Sequence, residues 1–353
     1  MILLLFHGPE IFDSGWAARL IAALQPVSRI RRVLAGAMGR TAVIDAGLQG
    51  FEYRAEMPGA CLRALGPAAE TVIFANMGKS EHSGLTLGSM IVERAAVSVP
   101  VLQVECSAPC LVEWRPGCAP EVVQALEALG IPLRKRFERP RTVWEASGRV
   151  YRRMTTTEPD DFVLVDGIVV GRAVGRQVVL AAEDGRLVEL QGVVVKEHGL
   201  EKLERFGGVD LATVKLVSTP VLRRTGHTPA VQPCRGEGIA FIDHAGMHVY
   251  ELADGVAGAV TVGDDTTAVV ADILYRNSVP VIGIVDGDQD TVLEHTSIAA
   301  GSVKLTVPAD DEFGLRVRRE IFAGGERLDA DFAAVRQQII ALAGPELLAR
   351  QDY

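Results

Sequence analysis

Val281-Ile282-Gly283-Ile284-Val285-Asp286-Gly287-Asp288-Gln289-Asp290 is the stretch on which the reading of this chain turns. An apolar run with the length of a buried strand ends in three carboxylates at alternate positions. Ala259-Val260-Thr261-Val262-Gly263-Asp264-Asp265-Thr266-Thr267 repeats the form, a strand running into acids and hydroxyls. Two such ends on one parallel sheet place several carboxylates along one edge, where open α/β sheets collect their ligands. Carboxylates held that close repel, and a hard cation such as Mg²⁺ relieves the repulsion. The pattern predicts Asp264, Asp286, Asp288 and Asp290 as metal ligands, the first three also as catalytic groups. Thr266 and Thr267 fall at a helix start and are predicted ligand-binding residues, because hydroxyls and helix N–H groups there suit an anion. Gly263 and Gly287 permit tight backbone turns at both places. In the competing reading, Asp265 or Thr266 caps the helix and Asp-Gly-Asp is a polar turn. A calcium loop does not fit, since Thr291-Val292-Leu293-Glu294 follows Asp290 out of register.

Working outward, residues 1–141 alternate strand-like and helix-like segments. Ile2–Phe6, Arg32–Ala35, Thr71–Ala75 and Val99–Val104 read as strands. Trp16–Leu24, Leu87–Val97 and Glu121–Leu129 read as helices, the last stopped by Gly130 and Pro132. From about Thr142 the period changes to short β segments, Phe162–Val165, Ile168–Val170, Gln177–Leu180, Leu187–Leu190 and Val193–Val195. Asp184-Gly185 among them is a tight-turn signal. Leu200–Phe206 reads as a short helix and Asp210–Ser218 as a return strand. Pro229, Pro233 and Gly236 mark a second boundary. Strands and helices alternate again beyond it: Ile239–Ile242, Val256–Val262, Pro280–Val285 and Val303–Val307 as strands, Thr267–Arg276, Phe313–Ile321 and Phe332–Leu342 as helices. The expected fold is α/β, with two Rossmann-like parallel-sheet domains, 1–141 and 236–353, flanking a small β-rich domain, 142–235.

A second polar cluster follows two strands of the first domain. His7-Gly8-Pro9-Glu10 succeeds the opening strand, and Asn76-Met77-Gly78-Lys79-Ser80-Glu81-His82 another. His7, Asn76, Lys79, Ser80 and His82 are predicted ligand-binding residues, with capping of strands and helices as the alternative. Gly-Lys-Ser lacks the upstream glycine of a P-loop. His244 and His248 are four apart, but Gly246 between them speaks against a helical zinc pair. No Gly-x-Ser-x-Gly elbow is present.

The chain has 353 residues, 48% hydrophobic and 23% charged, enough for two or three cores. A formal charge of −9 argues against broad contact with nucleic acid, although Arg134-Lys135-Arg136 forms a local basic run. Met1–Phe6 is too short to span a membrane and lacks the basic start of a secretion signal. Five cysteines, an odd number, speak against a disulfide framework, and Cys106, Cys110 and Cys118 lack Cys-x-x-Cys spacing. A cytoplasmic location is expected, with no membrane partner; a homo-oligomer is left open.

The segments His7–Gly15, Asn76–Ser80, Gly263–Thr267 and Val285–Asp290 together resemble the archaeal DUF2117 family, over essentially the whole chain. That resemblance implies a cytosolic archaeal protein and supplies no reaction. The C-terminal region also resembles Toprim domains, which hold Mg²⁺ with a Glu after an early strand and an Asp-x-Asp after a later one. Asp286-Gly287-Asp288 matches the pair, while Asp264 stands where the Glu would be. The leading expectation is a Mg²⁺-dependent enzyme acting on a phosphorylated metabolite or nucleotide. The alternative is a non-catalytic binding or regulatory protein for a small anionic metabolite. In either case the 76–83 loop and His7 could close over an anion held near the C-terminal acids.

Overall fold

The computed structural model describes all residues except 135–136, 139–140, 206, 220–221, 224–225, 227, 244–245 and 288–295. The fold is mixed α/β with four sheets, two mixed and two purely antiparallel. The chain divides into two compact units, Met1–Ala35 with Gln49–Arg224, and Gly36–Leu48 with Thr225–Tyr353.

In the first unit, β1 (Ile2–His7), β2 (Ile30–Ala35), β3 (Glu52–Arg54), β4 (Thr71–Asn76), β5 (Val101–Glu105), β6 (Cys110–Arg115) and β7 (Leu133–Arg134) form a sheet of order β3-β2-β1-β4-β5-β6-β7. The helices in this stretch of chain are α1 (Glu10–Asp13), α2 (Trp16–Leu24), α3 (Ala37–Asp45), α4 (Pro58–Leu65), α5 (Glu81–Ala95) and α6 (Pro120–Glu127), of which α3 belongs to the second unit. Ile2 to Phe6 are all buried, the continuous apolar pattern of a strand covered on both faces. Leu3 and Leu5 pack with Leu62 of α4 and Val92 of α5, whereas Phe6 meets Phe12 of α1, ring centroids 5.3 Å apart. The sheet is not wholly parallel as expected from sequence. The link from β5 to β6 is far too short for a crossover helix, so β6 returns antiparallel.

The β-rich part of this unit holds β8 (Val143–Ala146), β9 (Arg149–Met154), β10 (Phe162–Val165), β11 (Ile168–Ala173), β12 (Val178–Glu183), β13 (Arg186–Gln191), β14 (Val193–Val195), α7 (Glu197–Arg205) and β15 (Leu216–Thr219). They form two antiparallel sheets, β14-β11-β10-β15 and β13-β12-β9-β8, around Val163, Val170, Val178, Leu180 and Leu203. Asp184 and Gly185 both have positive φ, 48° and 78°, as a type I′ hairpin turn requires. Ser147 and Gly148 do the same for the β8–β9 hairpin, which the sequence reading passed over.

The second unit is built on β16 (Ile239–Asp243), β17 (Gly258–Val262), β18 (Val281–Val285) and β19 (Val303–Thr306), adjacent and parallel. Two short antiparallel strands, β20 (Arg327–Leu328) and β21 (Ala349–Asp352), close its edges and make this sheet mixed as well. The helices are α8 (Val249–Leu252), α9 (Asp264–Tyr275), α10 (Asp310–Glu320) and α11 (Phe332–Ala343). Val260, Val262, Ile282 and Ile284 face α10 and α11, and Ala259 and Val281 face α8 and α9. Gly283 lets α9 lie close to β18: a Cβ there would stand 2.4 Å from Thr267 Cγ2.

Arg276, at the end of α9, is 1% exposed. Its Nε and Nη2 donate to both oxygens of Asp45 on α3, at 2.9 and 2.8 Å, and Nη1 donates to the Asp272 carbonyl at 2.6 Å. Asp45 also accepts the Ala230 N–H at 2.9 Å. One guanidinium thus holds α3, the 230 segment and the last turn of α9. Replacing Arg276 by Met removes both hydrogen bonds that Asp45 accepts from the guanidinium. We expect a loss of about 3–5 kcal/mol in urea unfolding, the usual result of breaking a buried ion pair from one side; a loss under about 1 kcal/mol would contradict this role.

Candidate metal site

The carboxyl ends of three neighbouring parallel strands each deliver an aspartate. After β17 the chain turns at Gly263, whose φ of 95° is left-handed and suits glycine, and α9 begins at Asp264. The Gly263 N–H donates to the Ile284 carbonyl at 3.0 Å, tying this turn to the end of β18. Asp286 directly follows β18. After β19 the chain passes Ala309, and Asp310 opens α10. Asp264, Asp286 and Asp310 each offer an oxygen within 4.8 Å of the other two, and all three are half-buried. Among the described residues this is the one group of three His, Cys, Asp or Glu side chains so arranged.

Three ionised carboxylates at this spacing raise one another's energy, and partial removal from water enlarges the effect. Asp264 and Asp310 are each offset in part by a helix N-terminus, whose partial positive charge favours an anion. Asp286 sits on a strand end and draws on no helix of its own. Oxygens around one octahedral Mg²⁺ lie about 3–4 Å apart, so this cluster could chelate such an ion with small side-chain adjustments.

Asp310 escaped the sequence reading because α10 was begun at Phe313. The run Asp310-Asp311-Glu312 ahead of the apolar positions Phe313 and Val317 is a first-turn signal that would have found it. The start of α9 was likewise set three residues late. The N-cap is Gly263, not Asp265 or Thr266, which puts both acids inside the first helical turn. Thr266 is 8% and Thr267 4% exposed, and the Thr267 hydroxyl lies 2.8 Å from that of Thr261 inside the sheet layer. Asp288 and Asp290 lie outside the described residues, so Asp286 is the described half of the Asp-x-Asp pair.

His7, Asn76, Lys79, Ser80 and His82 belong to the first unit and the carboxylates to the second. His7 ends β1 with Nδ1 3.4 Å from the Ala35 carbonyl, and burial lowers its pKa, which favours the neutral ring. Asn76 is buried, donating to Glu105 at 2.6 Å and accepting from Gln103 at 2.7 Å. Ser80 caps α5: its hydroxyl accepts the Ser83 N–H at 3.2 Å, and Ser83 Oγ accepts the Ser80 N–H at 2.9 Å. Lys79 Nζ donates to the wholly buried Asp161 carboxylate, to the Thr156 carbonyl at 3.0 Å and to Ser218 Oγ at 3.4 Å. His82 is exposed, its ring centroid 5.9 Å from that of Phe137.

Glu105, at the end of β5, was not singled out from sequence. Its carboxylate is fully buried and accepts from Asn76, from Gly78 N at 2.9 Å and from Ser107 N at 2.8 Å. Burial raises its pKa, and the hydrogen bonds from Ser107, Gly78 and Asn76 oppose the shift. Gly84 makes room for it, since a Cβ there would stand 1.8 Å from Glu105 Oε2. Among the described residues, no cysteine belongs to a group of three His, Cys, Asp or Glu side chains close enough to share an ion. Burial pushes the Cys110 and Cys118 thiols up to about 11, which disfavours the thiolate that binds metals. No helix among the described residues is long and apolar enough to cross a membrane.

Residues 4–325 match the family described as an uncharacterized protein conserved in archaea, DUF2117. The chain belongs to the DUF2117 family. It is similar to an uncharacterized protein of Methanocaldococcus jannaschii, 37% identical over 323 residues that cover 87% of this chain and 88% of that protein. No solved structure shows significant similarity to the chain. The span matched to DUF2117 contains all three clustered aspartates.

If the cluster takes up Mg²⁺, the ion stabilises the folded protein by mass action, about 2.7 kcal/mol at a hundred times the dissociation constant. Asp286→Asn is expected to abolish that gain. In chelator the variant should be at least as stable as the parent, because one like charge is gone. Thermal unfolding with and without Mg²⁺ measures both, and an undiminished Mg²⁺ response in the variant would refute the assignment.

Proposed function

We propose that this DUF2117 protein is a Mg²⁺-dependent enzyme acting on a phosphorylated metabolite or nucleotide. The observation that carries the reading is the convergence of Asp264, Asp286 and Asp310 at the carboxyl edge of a parallel sheet, where α/β folds place their ligands. In this reading the three carboxylates hold the ion, with Asp288 and Asp290 proposed as further ligands. Bound Mg²⁺ supplies charge neutralisation at phosphoryl oxygens or a more acidic water. Thr266 and the first turn of α9 face a phosphate beside the ion, where helix N–H groups suit an anion. Thr267, with its hydroxyl next to that of Thr261, holds the helix against the sheet. We further propose that residues 1–141, 142–235 and 236–353 are separate domains, apart from Gly36–Leu48, which belongs with the last; strand pairing that stays within each segment among the described residues supports this.

The test is turnover. Purified protein with Mg²⁺ is offered a panel of sugar phosphates and nucleotides, and phosphate release or transfer is followed. Activity is expected to require Mg²⁺ and to fall by at least about 100-fold in kcat in Asp286→Asn, the scale of losing one group that stabilises transition-state charge. Mg²⁺-dependent binding of a phosphorylated compound with no turnover would replace the enzyme by a binding protein.

A further inference from the structure

The first unit carries a second cluster that the metal site does not use. β1 lies between β2 and β4 and runs parallel to both. From β1 the chain continues into α1 on the Phe12 face of the sheet, and from β4 into α5 on the opposite, Leu3 and Leu5 face. The two connections part at the place where strand order reverses, which in open α/β sheets is the habitual ligand position.

The charges there are unevenly matched. Asp13 takes a two-pronged ion pair from Arg223, with Nε to Oδ2 at 2.8 Å. Lys79 is paired with Asp161, and its three N–H groups have three acceptors. Glu105 is held by N–H donors, and burial lowers the His7 pKa, against the hydrogen bond to Ala35. Glu10 differs. Among the described residues its carboxylate is in no ion pair, and its own backbone N–H is its hydrogen-bond donor. It lies folded over the end of β1: a Cβ on Gly8, whose φ is 84°, would stand 2.7 Å from Glu10 Oε2. Burial is the first cause of a raised Glu10 pKa, reinforced by Asp13 and opposed by Lys79 and Arg223. Among the described residues, the surroundings thus supply no cation paired with Glu10.

We propose that the carboxyl ends of β1 and β4 form a second ligand site, that Glu10 is its recognition group, and that the ligand is a small organic cation, an amine or guanidinium. An anion would meet the Glu10 carboxylate and find Lys79 already committed to Asp161. A cation completes Glu10 as Arg223 completes Asp13, by charge-assisted hydrogen bonds.

Agmatine, which carries both an amine and a guanidinium, serves as the probe, and inorganic phosphate as the anion control. Titration calorimetry in EDTA keeps the second unit's metal site silent. Agmatine is expected to bind the parent protein. The affinity should fall at least 10-fold in Glu10→Gln and stay unchanged in Asp286→Asn, so this site and the metal site succeed or fail separately. Gly8→Ala displaces the carboxylate and should also weaken binding, with thermal unfolding confirming that each variant folds. In the parent protein, affinity should drop as pH falls through Glu10's raised titration, because a protonated carboxyl no longer pairs with a cation. The proposal is overturned if agmatine does not bind, if it binds Glu10→Gln equally well, or if phosphate binds and Lys79→Ala abolishes it.

Discussion

Three carboxylates converge because the backbone that carries them is anchored to the ends of adjacent parallel strands, and this constraint organises the second unit. β17, β18 and β19 are locked in parallel register, and each leads to one acid. The Gly263 N–H bonds the Ile284 carbonyl, and Gly283 lets Thr267 close onto β18, so the first turn of α9 has little freedom. Arg276 fixes the far end of the same helix through Asp45 and Asp272. A fold that presents three like charges from such rigid supports keeps them at a cost, unless something positive offsets them. A divalent cation does so with one bound species.

The two polar regions differ in how much of their charge is already satisfied. In the first unit, residues that looked like ligand contacts are largely occupied by the protein itself. Lys79 reaches Asp161, Ser80 caps α5 and Asn76 joins the Glu105 network. Such contacts order the loop after β4 and leave little for a phosphate. Glu10 is the exception, a half-buried carboxylate held over Gly8.

Much of this was legible in the chain. Buried strand segments such as Ile2–Phe6 and Val281–Val285 are unbroken apolar runs, and Asp184-Gly185 marks its own hairpin. Helix starts were legible where the first residue is apolar, as at Trp16 and Phe332, and not where the first turn is polar and belongs to no apolar face. α5, α9 and α10 all begin three to six residues earlier than their apolar spacing indicates. That error hid Asp310, whereas Asp264 and Asp286 were found because glycine and strand run point to them. Glu105 and Asp161 gave no signal, since a buried carboxylate is recognised by the donors that fold around it. Gly84 and Gly88 of α5 serve a purpose invisible in sequence: Glu105 and Gln103 lie beneath them.

The central claim is that Asp264, Asp286 and Asp310 share one divalent cation. Crystals soaked in Mn²⁺, an anomalous scatterer with similar oxygen preference, test it without reference to any reaction. The account predicts one anomalous peak bonded to oxygens of all three aspartates, at about the 2.0–2.2 Å of hard-cation coordination. At saturating Mn²⁺, a peak elsewhere in the molecule with none among these three carboxylates would contradict it.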